Sequence, residues 1–177
     1  MRARPRLGDL PNVLSLSRIL LAAGFVAADG VVLRAGLIGA AGLSDVLDGW
    51  LARRLNAATR WGALIDPFAD RVFVLAATVT LAASGAITAS AALVLLARDI
   101  ATAVGFLVAL AIPRLRPREF KARWLGKLVT VLQFAALLCA VVAPELFAPL
   151  LVLVGVGAAW SIVDYTVTSW RARAGAA

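Results

Sequence analysis

Residues 45–70 read DVLDGWLARRLNAATRWGALIDPFAD. The stretch holds four aspartates in two pairs, Asp45 with Asp48 and Asp66 with Asp70. The first pair is spaced i, i+3 and the second i, i+4, so on helices each pair shares one face. The flanking sequence is almost wholly apolar, VVLRAGLIGAAGLS before it and RVFVLAATVTLAA after it. Two apolar runs that each carry a pair of carboxylates where they meet describe two helices joined at an acidic end, and the rest of the chain supports that reading.

Of 177 residues, 62% are hydrophobic and 16% charged. Soluble domains have about 45–50% apolar residues with Gly included and about 25% charged, so this composition cannot cover a water-facing surface. The expected fold is an all-α integral membrane protein with six transmembrane helices. A helix needs about 20 apolar residues to cross the hydrocarbon layer. The candidate spans are 13–29, 31–53, 62–84, 87–111, 124–143 and 146–168, preceded by a short interfacial lead-in over 1–12 and followed by a basic tail. The whole of 1–177 reads as a single membrane domain, and the first stretch reads as a span and not as a cleavable signal. Asp29-Gly30, Ser84-Gly85, Pro113 through Pro117 and Pro144-Glu145 supply the breaks. The single Cys139 excludes a disulfide scaffold, and the absence of histidine excludes imidazole bases and His-ligated zinc.

The net charge of +8 follows from topology. Arg2, Arg4, Arg6, Arg53, Arg54, Arg60, Arg114, Arg116, Arg118, Lys121, Arg123, Arg171 and Arg173 gather at one set of span ends, and Arg34 stands alone at the other. Cytoplasmic ends carry the excess of Lys and Arg, so both termini and the acidic pairs are expected on the cytoplasmic side of the inner membrane. The basic ends suit anionic membrane lipids, and no nucleic-acid partner is required. Trp50, Trp61, Trp124 and Trp170 fall near span boundaries, where interfacial Trp is common.

The short link between the second and third spans is expected to make them antiparallel neighbours, bringing all four carboxylates into one cleft. A charge deep in a span costs about 2.5–3.5 kcal/mol, and four like charges also repel, so a compensating cation is needed. An all-oxygen donor set favours a hard ion such as Mg²⁺ or Mn²⁺, and room for two divalent ions would suit phosphoryl chemistry. The alternatives are an ion-pair network with Arg53, Arg54, Arg71 or Arg98, and a divalent-cation transporter. The interleaved Gly49, Ala52 and Gly62 favour a ligand site, because small residues leave room for a ligand against the backbone.

With these residues in view, the sequence resembles the CDP-alcohol phosphatidyltransferases. Their signature, D-x2-D-G-x2-A-R-x8-G-x3-D-x3-D, is met at Asp45, Asp48, Gly49, Ala52, Arg53, Gly62, Asp66 and Asp70. The resemblance implies a transfer that displaces CMP from a CDP-linked lipid by an alcohol. It implies two divalent ions on Asp45, Asp48, Asp66 and Asp70, with Asp70 the base for the acceptor hydroxyl. It also implies a cytidine diphosphate site formed by Asp45, Asp48, Gly49, Ala52, Arg53, Thr59, Gly62 and Asp66, and a homodimer. PNVLSLSR (11–18), DPFADR (66–71) and GKLVTVLQ (126–133) are similar to elements of the bacterial phosphatidylglycerophosphate synthase branch. Within it the implied donor is CDP-diacylglycerol and the acceptor glycerol 3-phosphate, with cardiolipin synthases that take phosphatidylglycerol as the rival branch.

A phosphorylated acceptor needs cations near the cleft. The candidates are Arg98 in the fourth span and Lys121, Arg123 and Lys127 around the start of the fifth. Arg grips a phosphate with two parallel donors, and Lys acts as a point charge. Membrane anchoring is the competing reading for Lys121 and Arg123, and a private pair with Asp99 is the competing reading for Arg98.

Overall fold

In a computed structural model the chain is entirely helical among the described residues, whose backbone covers 10–55, 62–111 and 124–174 and whose side chains cover 17–47, 71–104 and 126–163. The helices are α1 (Leu10–Ala27), α2 (Val31–Leu55), α3 (Gly62–Ala83), α4 (Ala89–Ala111), α5 (Trp124–Val142) and α6 (Pro144–Ala174). They match the six sequence-derived stretches with shifted ends. α1 begins inside the expected lead-in, and α6 runs past residue 168 into the basic tail.

The turn residues act where expected. Gly30 and Gly85 take φ of 95° and 74°, values that cost a residue with a Cβ. After α3 the Ala86 N–H returns to Leu81 O at 2.9 Å and Gly85 N–H to Ala82 O at 3.1 Å, closing the helix end. Thr88 then opens α4 by accepting from the Ala91 N–H at 3.2 Å. Arg34, the isolated cation at this end, donates from Nε to Ala28 O at 3.1 Å and lies over the Phe25 ring. It closes the end of α1.

Packing follows a ring in the order α1, α2, α5, α6, α4, α3, with α3 also touching α5 across it. This order corrects the expectation that α2 and α3 are neighbours. Among the described residues they make no extended contact, and they face each other across a gap bounded by α1 and α5. Aromatic rings fill the gap. Phe25 of α1 meets Phe73 of α3 edge-on at 5.9 Å, and Phe73 stacks on Phe134 of α5 at 5.8 Å. These are favoured aromatic geometries. Gly42 of α2 completes the layer, since a Cβ there would meet the Phe134 ring at 3.4 Å.

The distribution of polarity is the reverse of a soluble bundle. Arg18, Ser44, Thr78 and Gln133 are buried among Ala22, Ala41, Ala77, Ala91 and Ala136, whereas Leu20, Val32, Leu93, Val152, Val156 and Trp160 are more than half exposed. An apolar exterior on this scale does not suit water. One described stretch, Pro144–Val163, is long and apolar enough to cross a membrane by itself. Ser17–Ala27, Arg71–Ala83 and Gly126–Val142 are shorter apolar segments.

Candidate active site

The polar residues of five helices lie at a common level. Counted from the ends of the described helical segments nearest the acidic link, the offsets run from eight residues (Leu10 to Arg18) to twelve (Asp99 to Ala111). Asp45, Arg71 and Gln133 fall between them.

On one side, α1 meets α2 through Arg18, whose Nη1 is 3.7 Å from Asp45 Oδ1. Arg18 is 2% exposed and Asp45 33%. Sequence reading proposed Arg53, Arg54, Arg71 or Arg98 as partners for the aspartates, and missed this one. The signal was present in PNVLSLSR, which ends on a lone arginine inside an otherwise apolar helix. A buried guanidinium needs a counter-charge, and Asp45 provides it. Asp45 keeps its second oxygen, Oδ2, without a partner among the described residues. A half-buried carboxylate fits a hard dication, as does the oxygen-only character of all four aspartates.

Asp48 lies in α2, and Asp66 and Asp70 lie in α3. Their side chains are outside the described residues, as are those of Gly49, Ala52, Arg53 and Gly62. Thr59, Lys121 and Arg123 are outside the described backbone as well. Among the described residues no group of three potential metal ligands occurs.

On the other side, α3, α4 and α5 share a polar cluster. Arg71 follows Asp70 directly, and its Nε lies 3.5 Å from Asp99 Oδ1. Gln133 Nε2 donates to Asp99 Oδ2 at 2.8 Å and to Leu95 O at 2.7 Å. Arg98 Nη1 donates to Thr130 Oγ1 at 3.1 Å. Its Nη2 lies over Gly126, where a Cβ would come within 2.8 Å. Gly126, Thr130 and Gln133 are spaced i, i+4 and i+7, one face of a helix. That face is what GKLVTVLQ encodes. Lys127 is off it, exposed, and about 9 Å nearer the helix end than Gln133.

The private pairing of Arg98 with Asp99 is a minor part of this arrangement. The two groups approach at 4.0 Å, whereas Asp99 is bound more closely by Arg71 and Gln133. Arg98 Nε is buried with no hydrogen-bond partner among the described residues.

Residues 9–168 match the CDP-alcohol phosphatidyltransferase family. The chain belongs to that family. A CDP-alcohol phosphatidyltransferase relative in Pectobacterium atrosepticum, named CDP-diacylglycerol–glycerol-3-phosphate 3-phosphatidyltransferase, is 32% identical over 171 residues, 92% of this chain and 90% of the relative. A protein of the same name in Aquifex aeolicus is 43% identical over 68 residues, 37% of this chain and 38% of the relative. A Mycobacterium tuberculosis protein named putative cardiolipin synthase is 37% identical over 101 residues, 53% of this chain and 47% of the relative. The chain thus spans less than half the length of the last two relatives and nearly all of the first. Both branches considered from the motifs are represented among the names of these relatives.

Proposed function

We propose that this protein transfers the phosphatidyl group of CDP-diacylglycerol to a hydroxyl of glycerol 3-phosphate, forming phosphatidylglycerophosphate and releasing CMP. The acceptor oxygen attacks the phosphorus that carries the diacylglycerol, the bond from that phosphorus to CMP breaks, and the hydroxyl proton passes to Asp70. An aspartate beside bound cations is a weak base, so Asp70 contributes as much by orienting the hydroxyl as by accepting its proton. Asp45, Asp48, Asp66 and Asp70 would hold two Mg²⁺ or Mn²⁺ ions. Such ions, when bound, neutralise the diphosphate and the departing CMP. Arg18 holds Asp45 in place. Gly49, Ala52, Arg53, Thr59 and Gly62 line the cytidine diphosphate site in this proposal.

The choice of acceptor is carried by one observation: Arg71 and Arg98 stand around a single carboxylate, Asp99, at the level of the aspartates. Two guanidiniums with one carboxylate leave a net positive charge for a phosphate monoester. Lys121, Arg123 and Lys127 would draw the acceptor in from the basic end. The name and near full-length alignment of the Pectobacterium relative support the same acceptor.

The proposal includes six membrane spans, an inner-membrane location with the acidic end facing the cytoplasm, and a homodimer. The apolar exterior and the one-sided basic residues support the first two. Purified protein supplied with labelled CDP-diacylglycerol, Mg²⁺ and each acceptor in turn tests the reaction. Phosphatidylglycerophosphate is expected with glycerol 3-phosphate. Product formed with phosphatidylglycerol alone would assign the cardiolipin synthase reaction instead, and ion flux in liposomes without CMP release would assign transport.

A further inference from the structure

The cluster between α3, α4 and α5 contains a carboxylate to which the proposed chemistry gives no role. Asp99 lies near the middle of α4 and is 14% exposed. Both of its oxygens are engaged. Oδ1 faces Arg71 Nε at 3.5 Å and Arg98 Nη1 at 4.0 Å, and Oδ2 accepts from Gln133 Nε2 at 2.8 Å. Gln133 is itself buried and held, because the same Nε2 donates to Leu95 O at 2.7 Å. Turning that amide over would set Oε1 against two acceptors, so its orientation is determined by its neighbours.

A carboxylate that merely offset positive charge would not need its second oxygen fixed by a buried amide. A carboxylate that sets the direction of two guanidiniums would. Arg98 is further tied to Thr130 and backed by Gly126, which leaves it little freedom. Arg71 is 37% exposed, and its Nη nitrogens have no partner among the described residues. One arginine is therefore held rigidly and the other is more exposed, with Asp99 between them.

We infer that Asp99, clamped by Gln133, is a positioning residue that aims Arg71 and Arg98 as a two-guanidinium receptor for the phosphate monoester of the acceptor. The inference rests on the acceptor reading given above. Offsetting and positioning predict opposite signs for Asp99→Asn. That change keeps the side-chain size and an acceptor for Gln133, but removes the charge and turns an amide toward the arginines. If Asp99 only offsets charge, the extra net positive charge strengthens dianion binding and the acceptor KM falls. If Asp99 positions the arginines, the acceptor KM rises.

The experiment is steady-state kinetics with glycerol 3-phosphate and CDP-diacylglycerol varied separately, for wild type, Asp99→Asn and Gln133→Met. Asp99→Asn is expected to raise the acceptor KM by about tenfold to 100-fold, the effect of misplacing a binding group by about 1 Å. The CDP-diacylglycerol KM should stay within about twofold. Gln133→Met alters no charge and removes the clamp together with the bond to Leu95 O, and should raise the acceptor KM by about fivefold. An acceptor KM that falls or stays constant in Asp99→Asn overturns the inference. If Asp99→Asn gives no folded protein, an unchanged acceptor KM in Gln133→Met overturns it instead. A wild type that uses phosphatidylglycerol but not glycerol 3-phosphate removes the acceptor reading and this inference together. A wild type that uses glycerol 3-phosphate beside variants of unaltered KM removes the inference alone.

Discussion

Gly126→Ala perturbs the acceptor side of the site without touching a charge. The new Cβ would stand 2.8 Å from Arg98 Nη2. Favourable non-bonded contacts lie near ~3.5–4.0 Å, so the guanidinium must retreat by at least about 0.7 Å. Arg98 Nη1 is already 3.1 Å from Thr130 Oγ1, and a retreat of that size breaks the hydrogen bond. A hydrogen bond to a charged group is worth about 1.5–3 kcal/mol. Against this, replacing Gly by Ala inside a helix gains up to about 1 kcal/mol, and less here because Gly126 is in the first turn of α5. The clash wins by about 1–2 kcal/mol, a factor of about 5–30. That net loss should appear as a lower thermal midpoint, and the displaced Arg98 should raise the glycerol 3-phosphate KM in initial-rate assays, with the CDP-diacylglycerol KM unaffected. Gly157→Ala is the matched control, since its Cβ would meet Val129 Cγ2 at 2.9 Å in apolar surroundings. It should lower the thermal midpoint in detergent and leave the acceptor KM alone. A Gly126→Ala protein with an unchanged acceptor KM and raised stability would refute the reasoning, because Arg98 would then have moved at no cost.

Asp70→Asn should retain CDP-diacylglycerol binding in equilibrium dialysis and lose turnover by at least about 100-fold; near-normal turnover would remove its assigned role. Arg18→Ala leaves Asp45 without its partner; breaking a buried pair costs about 3–5 kcal/mol, and the partial exposure of Asp45 brings this to the lower end. A lower thermal midpoint with weakened Mn²⁺ binding is expected, and partial recovery in Arg18→Lys separates charge from packing. Gly39→Ala meets no atom within 4 Å and should stabilise by up to about 1 kcal/mol through helix propensity, read as a raised thermal midpoint. A loss of stability there would reveal a helix packed on that face in the assembled protein.

The parts of this molecule that follow local rules were readable from sequence. Six apolar stretches and three turn signals place the described helices, because apolar length and Gly, Pro or Asp punctuation act within a few residues; the fourth signal, Pro113 through Pro117, lies outside the described residues. The acidic signature was equally visible, since its spacing repeats with the helix. Contacts between distant helices were not visible. Arg18 and Asp45 are 27 positions apart, and nothing in the local sequence says that α1 rather than the basic link supplies the counter-charge. Arg98 and Asp99 invited a pairing because they are adjacent, yet successive helical residues point about 100° apart, and Asp99 turns to Arg71 and Gln133 instead. The i, i+4, i+7 spacing of Gly126, Thr130 and Gln133 announced a shared face, and only the packing of α5 on α3 and near α4 said what that face meets.

The Phe25, Phe73 and Phe134 rings have a consequence for the cell as well as for packing. Phe25 and Phe73 are fully buried, and they close the space between α2 and α3 beyond the charged layer. In the proposed enzyme, water entering with a polar substrate from the acidic end would meet these rings, and such a blind end would spare the ion gradient across the bilayer a leak.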